Sequence, residues 1–171
     1  WKVVWVMGQD PTDSALTMTV GLADGAGEWV VACNDCAVES SGVFWMGSMN
    51  WVQGQWKYMS FYLHAAADSS GRIDFWHLNN SGLQHPVGAN RAVMNNSSDL
   101  FEQVRLNGYG RVTPNSHPMF DDVYIAYGPN AKARVEIGNQ PTYTANTNLS
   151  VLPSTSWSDT SVTVTVRQGS F

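Results

Sequence analysis

The fold is decided by the run WKYMSFYLH at 56–64, the polar run AAADSSG at 65–71 and the run RID that begins at residue 72. The first run alternates with the period of 2 that is typical of a strand, and a polar run ending in glycine is typical of a turn. One strand face is predicted to form core, through Met59, Phe61 and Leu63. The opposite face carries aromatic rings, hydroxyls and an imidazole, and this second face is predicted to bind a ligand.

The rest of the chain continues this strand and turn pattern. No stretch keeps a helical period for more than a turn or two, and turn residues recur every few residues. The sequence therefore predicts an all-β protein built as a two-sheet antiparallel sandwich, with a polar loop at 83–98. Further strands are predicted at 1–7, 16–22, 28–33, 36–39, 42–46, 72–78, 101–109, 120–127, 131–137 and 161–166.

Composition excludes several classes of partner. Charged residues make up 13% of the chain and the net charge is −5, with no cluster of lysine and arginine. Nucleic acid and anionic membranes are therefore not expected partners. No apolar run approaches the roughly 20 residues of a membrane span, so no membrane insertion is expected. Scarce lysine and abundant serine, threonine, asparagine and glycine favour a secreted or cell-surface protein.

Alternation in the neighbouring predicted strands extends the second face of the 56–64 strand. If these strands share one sheet, aromatic rings interleave with amides, a carboxylate and guanidinium groups, which suits carbohydrate: rings pack on the C–H face of a sugar and polar groups bond its hydroxyls. Ordinary cross-strand pairing on a solvated sheet and a protein interface remain alternatives. The predicted ligand-binding residues are Tyr58, Tyr62, His64, Arg72, Asp74, Trp76, Arg105, Asn107 and Tyr109.

Four short runs resemble a known family. They are WKYMSFYL at 56–63, SGRIDFW at 70–76, RLNGYGR at 105–111 and FDDVYIA at 120–126. They resemble the jelly-roll half of concanavalin A-like, laminin-G-like domains and are similar to the jelly-roll polysaccharide lyases. The resemblance covers roughly residues 1–138. It implies two packed antiparallel sheets with the ligand on the concave face or at its rim loops.

The resemblance to lyases also implies a set of catalytic residues. Jelly-roll lyases abstract the proton α to a uronate carboxylate, with one group neutralising that carboxylate and others acting as base and acid. Here Arg105 and Gln103 would neutralise the carboxylate, and His64 or His77 with Tyr109 or Tyr62 would transfer protons. The strand motifs of alginate-lyase-like enzymes are absent from this chain. A carbohydrate-binding module without catalysis is therefore the first prediction, and a polysaccharide lyase is the alternative.

A structural calcium ion is a further expectation. Related sandwiches often hold calcium between an aspartate on a late strand and oxygen atoms of an early loop. In this sequence Asp121 and Asp122 match the late strand, and Asp24 lies in the matching early loop. Since calcium takes 6–8 oxygen ligands, these residues would form only part of its shell.

The two cysteines are predicted to form a local disulfide. Cys33 and Cys36 flank Asn34-Asp35, a plausible two-residue turn between strands 28–33 and 36–39. Residues that flank such a turn lie within disulfide reach. A disulfide would indicate an oxidising compartment, while two free thiols in a hairpin remain the alternative.

Residue 138 is the predicted domain boundary, because the composition then shifts to threonine, asparagine and serine. Residues 156–166 look like a strand pair from an Ig-like IPT/TIG domain. The segment 139–171 is too short to fold as such a domain alone. It is expected either to dock on the sandwich or to begin another domain, and an exposed edge strand would attract a protein partner. A structural or adhesion subunit assembling through strand edges is therefore the third functional alternative.

Overall fold

The protein is all-β over the residues that the structure describes. This computed structural model describes the backbone of 2–7, 17–22, 28–34, 43–48, 55–90, 92–93, 101–109 and 119–166, and side chains in these ranges at 55–86, 88, 90, 92–93, 101–106 and 119–166. A single 3₁₀ turn at Tyr143–Ala145 is the only helical element there. The strands are β1 (Lys2–Met7), β2 (Thr17–Leu22), β3 (Glu28–Asn34), β4 (Val43–Ser48), β5 (Met59–His64), β6 (Arg72–Asn79), β7 (Gly82–Asn90), β8 (Gln103–Tyr109), β9 (Val135–Gly138), β10 (Leu149–Leu152), β11 (Ser154–Trp157) and β12 (Val162–Val164).

The largest sheet has five strands in the order β4-β3-β2-β1-β8, all paired antiparallel. The strands predicted at 1–7, 16–22, 28–33, 42–46 and 101–109 are confirmed. The predicted pairing of 28–33 with 36–39 is wrong, because β3 pairs with β2 on one side and with β4 on the other. The consecutive strands β1 to β4 thus form a meander, and β8 lies at the end of the sheet beside β1.

A second sheet has three strands in the order β5-β6-β7. The strands predicted at 56–64 and 72–78 are confirmed as β5 and β6, although β5 begins only at Met59. The loop predicted at 83–98 is wrong over its first part, since 82–90 forms β7. Because Pro86 lacks a backbone N–H, the sequence of this segment did not indicate a strand. A proline is tolerated there because β7 lies at the edge of its sheet.

The strand predicted at 120–127 is also wrong. Residues 119–127 have no strand assignment, and every one of them is exposed. Val123, Ile125 and Tyr127, the predicted core residues of this segment, expose 51%, 56% and 96% of their surface. Alternation alone does not make a strand when no neighbouring strand supplies hydrogen-bond partners.

Strand β6 is buried on both of its faces. Ile73 and Phe75 are buried at 1% and 0% exposure, as predicted for the core. Asp74, which alternation places on the face opposite the core, is also buried at 0%. Within the predicted core of the other strands, Met59 on β5 is half-buried and Val104 on β8 is 42% exposed.

The chain divides into two compact units, and the strands of the three-stranded sheet contribute to each. One unit contains 1–55, 61–75 and 85–120, and the other contains 56–60, 76–84 and 121–171. The second unit has an apolar cluster of Leu78, Leu83 and Leu149, against which Tyr58 and Trp76 pack.

Two further strand pairs belong to the second unit. Strand β9 pairs with β10, so Gly138 at the predicted domain boundary lies opposite Leu149. Strands β11 and β12 form an exposed hairpin, which confirms the strand pair predicted within 156–166. The position of the domain boundary itself stays a prediction.

Gly82 at the start of β7 cannot be replaced without strain. Its φ is +111°, a backbone region that other residues rarely adopt, and a Cβ there would overlap the carbonyl oxygen of Thr144. Glycine therefore allows β7 to begin close to the 3₁₀ turn.

None of the helical structure in the described ranges is long and apolar enough to cross a membrane.

Candidate functional site

An ion pair on β6 with a buried carboxylate forms the centre of the candidate site. Arg72 and Asp74 lie two residues apart on one strand, so their side chains project from the same face. Arg72 donates from Nε to Oδ2 of Asp74 and from Nη2 to Oδ1, both at 2.7 Å. This two-bond geometry is the strongest form of the arginine–carboxylate pair, and it fixes the plane of the guanidinium group.

Strand β7 adds two side chains to this pair. The imidazole Nε2 of His85 lies 3.0 Å from Oδ1 of Asp74, and Nη1 of Arg72 donates to Oδ1 of Asn90 at 2.7 Å. We call Arg72, Asp74, His85 and Asn90 the Arg72 cluster. Its carboxylate is buried, whereas the side chains of Arg72 and His85 are 34% and 40% exposed. The cluster therefore presents nitrogen-bearing groups to solvent and holds its carboxylate underneath.

Gly88 makes room for the imidazole of the cluster. A Cβ built on Gly88 would lie 2.6 Å from Cε1 and 2.9 Å from Nε2 of His85, and 3.3 Å from Oδ1 of Asp74. Real Cβ atoms essentially never approach another atom within 3.0 Å. The absence of a side chain at residue 88 thus lets the His85 ring reach Asp74.

The charges of the cluster stabilise the charged form of Arg72. Hydrogen bonds to Asp74 raise the pKa of the Arg72 guanidinium, while desolvation opposes this effect. The charge of Asp74 raises the same pKa further, and Tyr62 on β5 adds a smaller electrostatic contribution. Tyr62 is half-buried on β5, the strand beside β6.

His64 lies at the exposed end of β5 and interacts with its own turn. Its Nδ1 is 3.0 Å from the carbonyl oxygen of Ser70, in the turn between β5 and β6. This contact is sufficient to explain a histidine at this position by local turn structure.

Two predicted ligand-binding residues, Tyr58 and Trp76, pack in the second unit. Tyr58 donates from its hydroxyl to Oε1 of Glu136 at 2.7 Å, and Tyr143 donates to Oε2 at 2.8 Å. Arg134 donates from Nε to Oε1 of the same carboxylate at 2.8 Å. Burial, with added effects of Glu136, raises the pKa of the Tyr58 hydroxyl. These groups hold one another in place within the protein.

Trp76 has a structural environment of the same kind. It packs against the leucine cluster of the second unit, and Nζ of Lys132 lies 6.0 Å from the centre of its ring. That distance is at the limit of a cation–π interaction. The ring of Trp76 thus already has protein neighbours.

The predicted residues on β8 do not share a sheet with Tyr62 and Arg72. Strand β8 belongs to the five-stranded sheet, where Arg105 lies opposite Trp5 of β1. The assumption that these strands form one continuous sheet face is therefore wrong. Arg105 donates to Oε1 of Gln103 from Nε at 3.2 Å and from Nη2 at 2.8 Å. Only the backbone is described at the two other predicted positions on β8, Asn107 and Tyr109.

The calcium prediction rests partly on residues outside the described ranges. Asp121 and Asp122 are exposed, and Oδ1 of Asp121 accepts a hydrogen bond at 2.9 Å from the backbone N–H of Asp122. Asp122 has a φ of 49°, in the left-handed region that aspartate tolerates better than most residues. Among the described residues no group of three or more histidine, cysteine, aspartate or glutamate side chains could hold a metal ion. Asp24 lies outside them, so calcium stays a prediction.

The predicted disulfide also stays a prediction. Cys36 lies outside the described residues, and at Cys33 only the backbone is described. Cys33 pairs with Met18 in the β2–β3 ladder rather than with residues 36–39.

His85 and Asn90 are the site residues that the sequence did not reveal. Both fall in the segment interpreted as a loop because of its proline, glycine and polar residues. The sequence did contain a strand pattern, since the apolar residues Leu83, Val87 and Ala89 lie at alternate positions on either side of Pro86. Interpreting this segment as an edge strand would have placed it beside β6.

No protein-family model matches the chain, and searches of curated proteins and of solved structures find no significant match.

Proposed function

We propose that this chain is an extracellular carbohydrate-binding module that holds a polysaccharide or glycoconjugate at the Arg72 cluster. The observation that carries the proposal is the fixed guanidinium of Arg72. It is held by the buried carboxylate of Asp74 and bonded to the exposed Asn90, and Tyr62 lies on the adjacent strand β5. Fixed polar groups beside an aromatic ring are the combination by which proteins recognise sugars.

Preorganisation supports this assignment over ordinary sheet decoration. An isolated surface arginine loses side-chain entropy when it binds a ligand, whereas two hydrogen bonds to Asp74 already order Arg72. A buried, unexposed carboxylate serves this ordering and does not contact a ligand directly. The exposed members of the cluster are then the ones that bind.

The proposed site is smaller than the surface predicted from the sequence. It keeps Tyr62, Arg72 and Asp74, gains His85 and Asn90, and leaves His64 at its edge. Tyr58 and Trp76 stabilise the second unit instead. The residues on β8 belong to another sheet and are not needed for the proposed site.

We also propose that the fold is a two-sheet jelly-roll sandwich of the concanavalin A-like, laminin-G-like kind. Antiparallel pairing in the five-stranded sheet and the presence of a second, three-stranded sheet support this interpretation. Scarce lysine and a low charged fraction support secretion or display at the cell surface.

A polysaccharide lyase is the second candidate function. One observation favours it: Nε2 of His85 lies 3.0 Å from the buried Asp74, and a carboxylate at this distance orients an imidazole for proton transfer. In that case His85, with Arg72 and Tyr62 nearby, takes the part first assigned to His64, Arg105 and Tyr109.

A structural or adhesion role rests on the exposed hairpin of β11 and β12. All residues of β11 are exposed, and a two-stranded sheet alone is marginally stable in water. Its edges could pair with a strand of a partner protein.

Binding to a glycan array, followed by calorimetry on the best ligand, tests the proposal. Tyr62→Ala should weaken binding by about tenfold or more, because a sugar loses its ring contact. Tyr127→Ala, at a tyrosine that is 96% exposed and outside the site, is the matched control and should change affinity less than about twofold.

Two other outcomes would contradict the binding module, and a third would contradict its position. An unsaturated product, detected by its ultraviolet absorbance, would instead support the lyase. Self-association without glycan binding would support the adhesion subunit. If Tyr62→Ala binds the glycan as tightly as the original protein, the glycan does not bind at the Arg72 cluster.

A further inference from the structure

The acceptors and the donors of the Arg72 cluster are used to different extents. Every oxygen atom of its side chains accepts a bond from within the cluster: both oxygens of Asp74 accept from Arg72, and Oδ1 of Asn90 accepts from Nη1 of Arg72. Asp74 is fully buried, so its carboxylate is not available to a ligand. Each side-chain oxygen of the cluster is therefore already bonded to Arg72.

The donors of the cluster are only partly used. A guanidinium group has five N–H donors, of which Arg72 uses three in these bonds. The other two make no hydrogen bond with the side chains and backbone that the structure describes. Arginine has no acceptor, so the bond from Nη1 fixes which end of the Asn90 amide is oxygen. The NH₂ group of the exposed Asn90 then adds two more donors.

From this excess of unused donors we infer that the site recognises the anionic group of an acidic glycan, either a uronate carboxylate or a sulfate ester. This inference rests on the proposed carbohydrate-binding function and specifies its ligand. Anions accept several hydrogen bonds and donate none, so they match a surface of N–H donors. A neutral sugar hydroxyl also needs an acceptor for its own proton, and each side-chain oxygen of the cluster already accepts from Arg72.

Charge supports the same ligand class. Asp74 balances the charge of Arg72, so the pair is close to neutral and an anion meets no exposed carboxylate in the cluster. Because both charges are fixed in one geometry, the remaining N–H groups of the guanidinium are already ordered when an anion binds. Recognition then depends on fixed dipoles rather than on net positive charge, which the chain as a whole lacks.

Oligogalacturonate and its fully methyl-esterified form provide the matched pair of probes, because they differ only in the charged group. Calorimetry on the full chain should show that the free acid binds at least about tenfold more tightly than the ester. A sulfated galactan oligosaccharide is the third probe. Tighter binding of this probe than of the uronate would identify sulfate as the anion, and the reverse would identify carboxylate; either result supports the inference.

Asn90→Asp tests the donors directly. It replaces the NH₂ group with oxygen at nearly constant shape, and the new carboxylate can still accept from Arg72. Affinity for the acid should fall about tenfold or more. Asn80→Asp is the control: it makes the same change at an exposed residue just beyond the other end of β6, and it should alter affinity less than about twofold. Circular dichroism checks the fold of both variants, and if Asn90→Asp does not fold, the comparison of acid and ester decides.

The outcomes separate this inference from the function on which it rests. Equal binding of acid and ester, or Asn90→Asp binding the acid as tightly as the original protein, would overturn the anionic ligand. If neutral glycans then bind and Tyr62→Ala removes that binding, the carbohydrate-binding function stands. Failure to bind any glycan, acidic or neutral, would overturn both.

Discussion

Arg72 and Asp74 lie two positions apart on β6, and one guanidinium group donates to both oxygens of a carboxylate that is completely buried. A buried carboxylate is costly unless its partners remain in place. The pair therefore links the stability of the central strand to the geometry of the proposed binding site.

Removing one member of this pair should cost more than removing both. Arg72→Met removes both hydrogen bonds that Arg72 donates to the buried carboxylate of Asp74, and we expect the free energy of unfolding to fall. The double variant Arg72→Met, Asp74→Leu removes both charges and should recover much of that loss. Urea denaturation measures both variants; an unchanged urea midpoint in Arg72→Met would show that the pair is not energetically coupled to the fold.

Gly88→Ala should displace His85 while leaving the sheet folded. The added methyl group overlaps the imidazole, which can move because it ends a flexible side chain. Losing its hydrogen bond to Asp74 should cost about 1 kcal/mol. Two-dimensional NMR of the histidine ring should show changed shifts for His85. Unchanged His85 signals in a folded Gly88→Ala protein would contradict the geometry described for the cluster.

Tyr58 should make the protein less stable in alkali. Burial and Glu136 raise the pKa of its hydroxyl above the ordinary value of 10.0. At a pH between the ordinary pKa and the raised pKa of the folded protein, the unfolded chain has released this proton and the folded chain has not. Stability therefore falls as the pH rises above about 10. Tyr58→Phe should lose about 1 kcal/mol at neutral pH through the bond to Glu136, and it should show a shallower alkaline decline.

The alkaline prediction is checked by denaturation at a series of pH values. Tyr127→Phe is the control, since its residue is 96% exposed and its hydroxyl has no hydrogen bond to a described residue. A Tyr58→Phe protein with the same alkaline decline as the original would show that another group is responsible.

His77 should make the protein less stable in mild acid. Its side chain is buried, and desolvation, with a smaller effect of Lys57, lowers its pKa below the ordinary 6.5. The unfolded chain then binds a proton that the folded chain excludes, so this contribution to stability is complete above about pH 6.5 and is lost as pH falls toward the lower folded pKa. His77→Gln, which cannot be protonated, should show a shallower decline as the pH falls below about 6.5. Equal slopes in denaturation experiments would contradict this assignment.

Much of the strand content could be predicted from alternation and turn residues. Strands β1, β2, β3, β4, β6 and β8 lie where the pattern placed them. The error at β7 came from Pro86, whose effect depends on whether the strand is at a sheet edge, and this is a property of the tertiary structure. The error at 120–127 had the opposite origin, because a good alternating pattern has no pairing strand there.

The candidate site was harder to predict than the fold class. Alternation correctly grouped Arg72 with Asp74, but it could not show that Asp74 is buried or that β8 lies in the other sheet. Strand order depends on long-range pairing, which a local pattern does not encode. His85 and Asn90 join the site only because β7 lies beside β6.

The central claim is that the Arg72 cluster binds glycan, and NMR titration of the full chain tests it most directly. Side-chain N–H signals of Arg72 and Asn90 should shift in a saturable manner as an acidic oligosaccharide is added, with the ring of Tyr62 shifting alongside them. Signals of Arg134 and Asn139, which lie in the other unit, should remain unchanged. Saturable shifts confined to residues outside the cluster, or no shifts with any glycan, would contradict the claim.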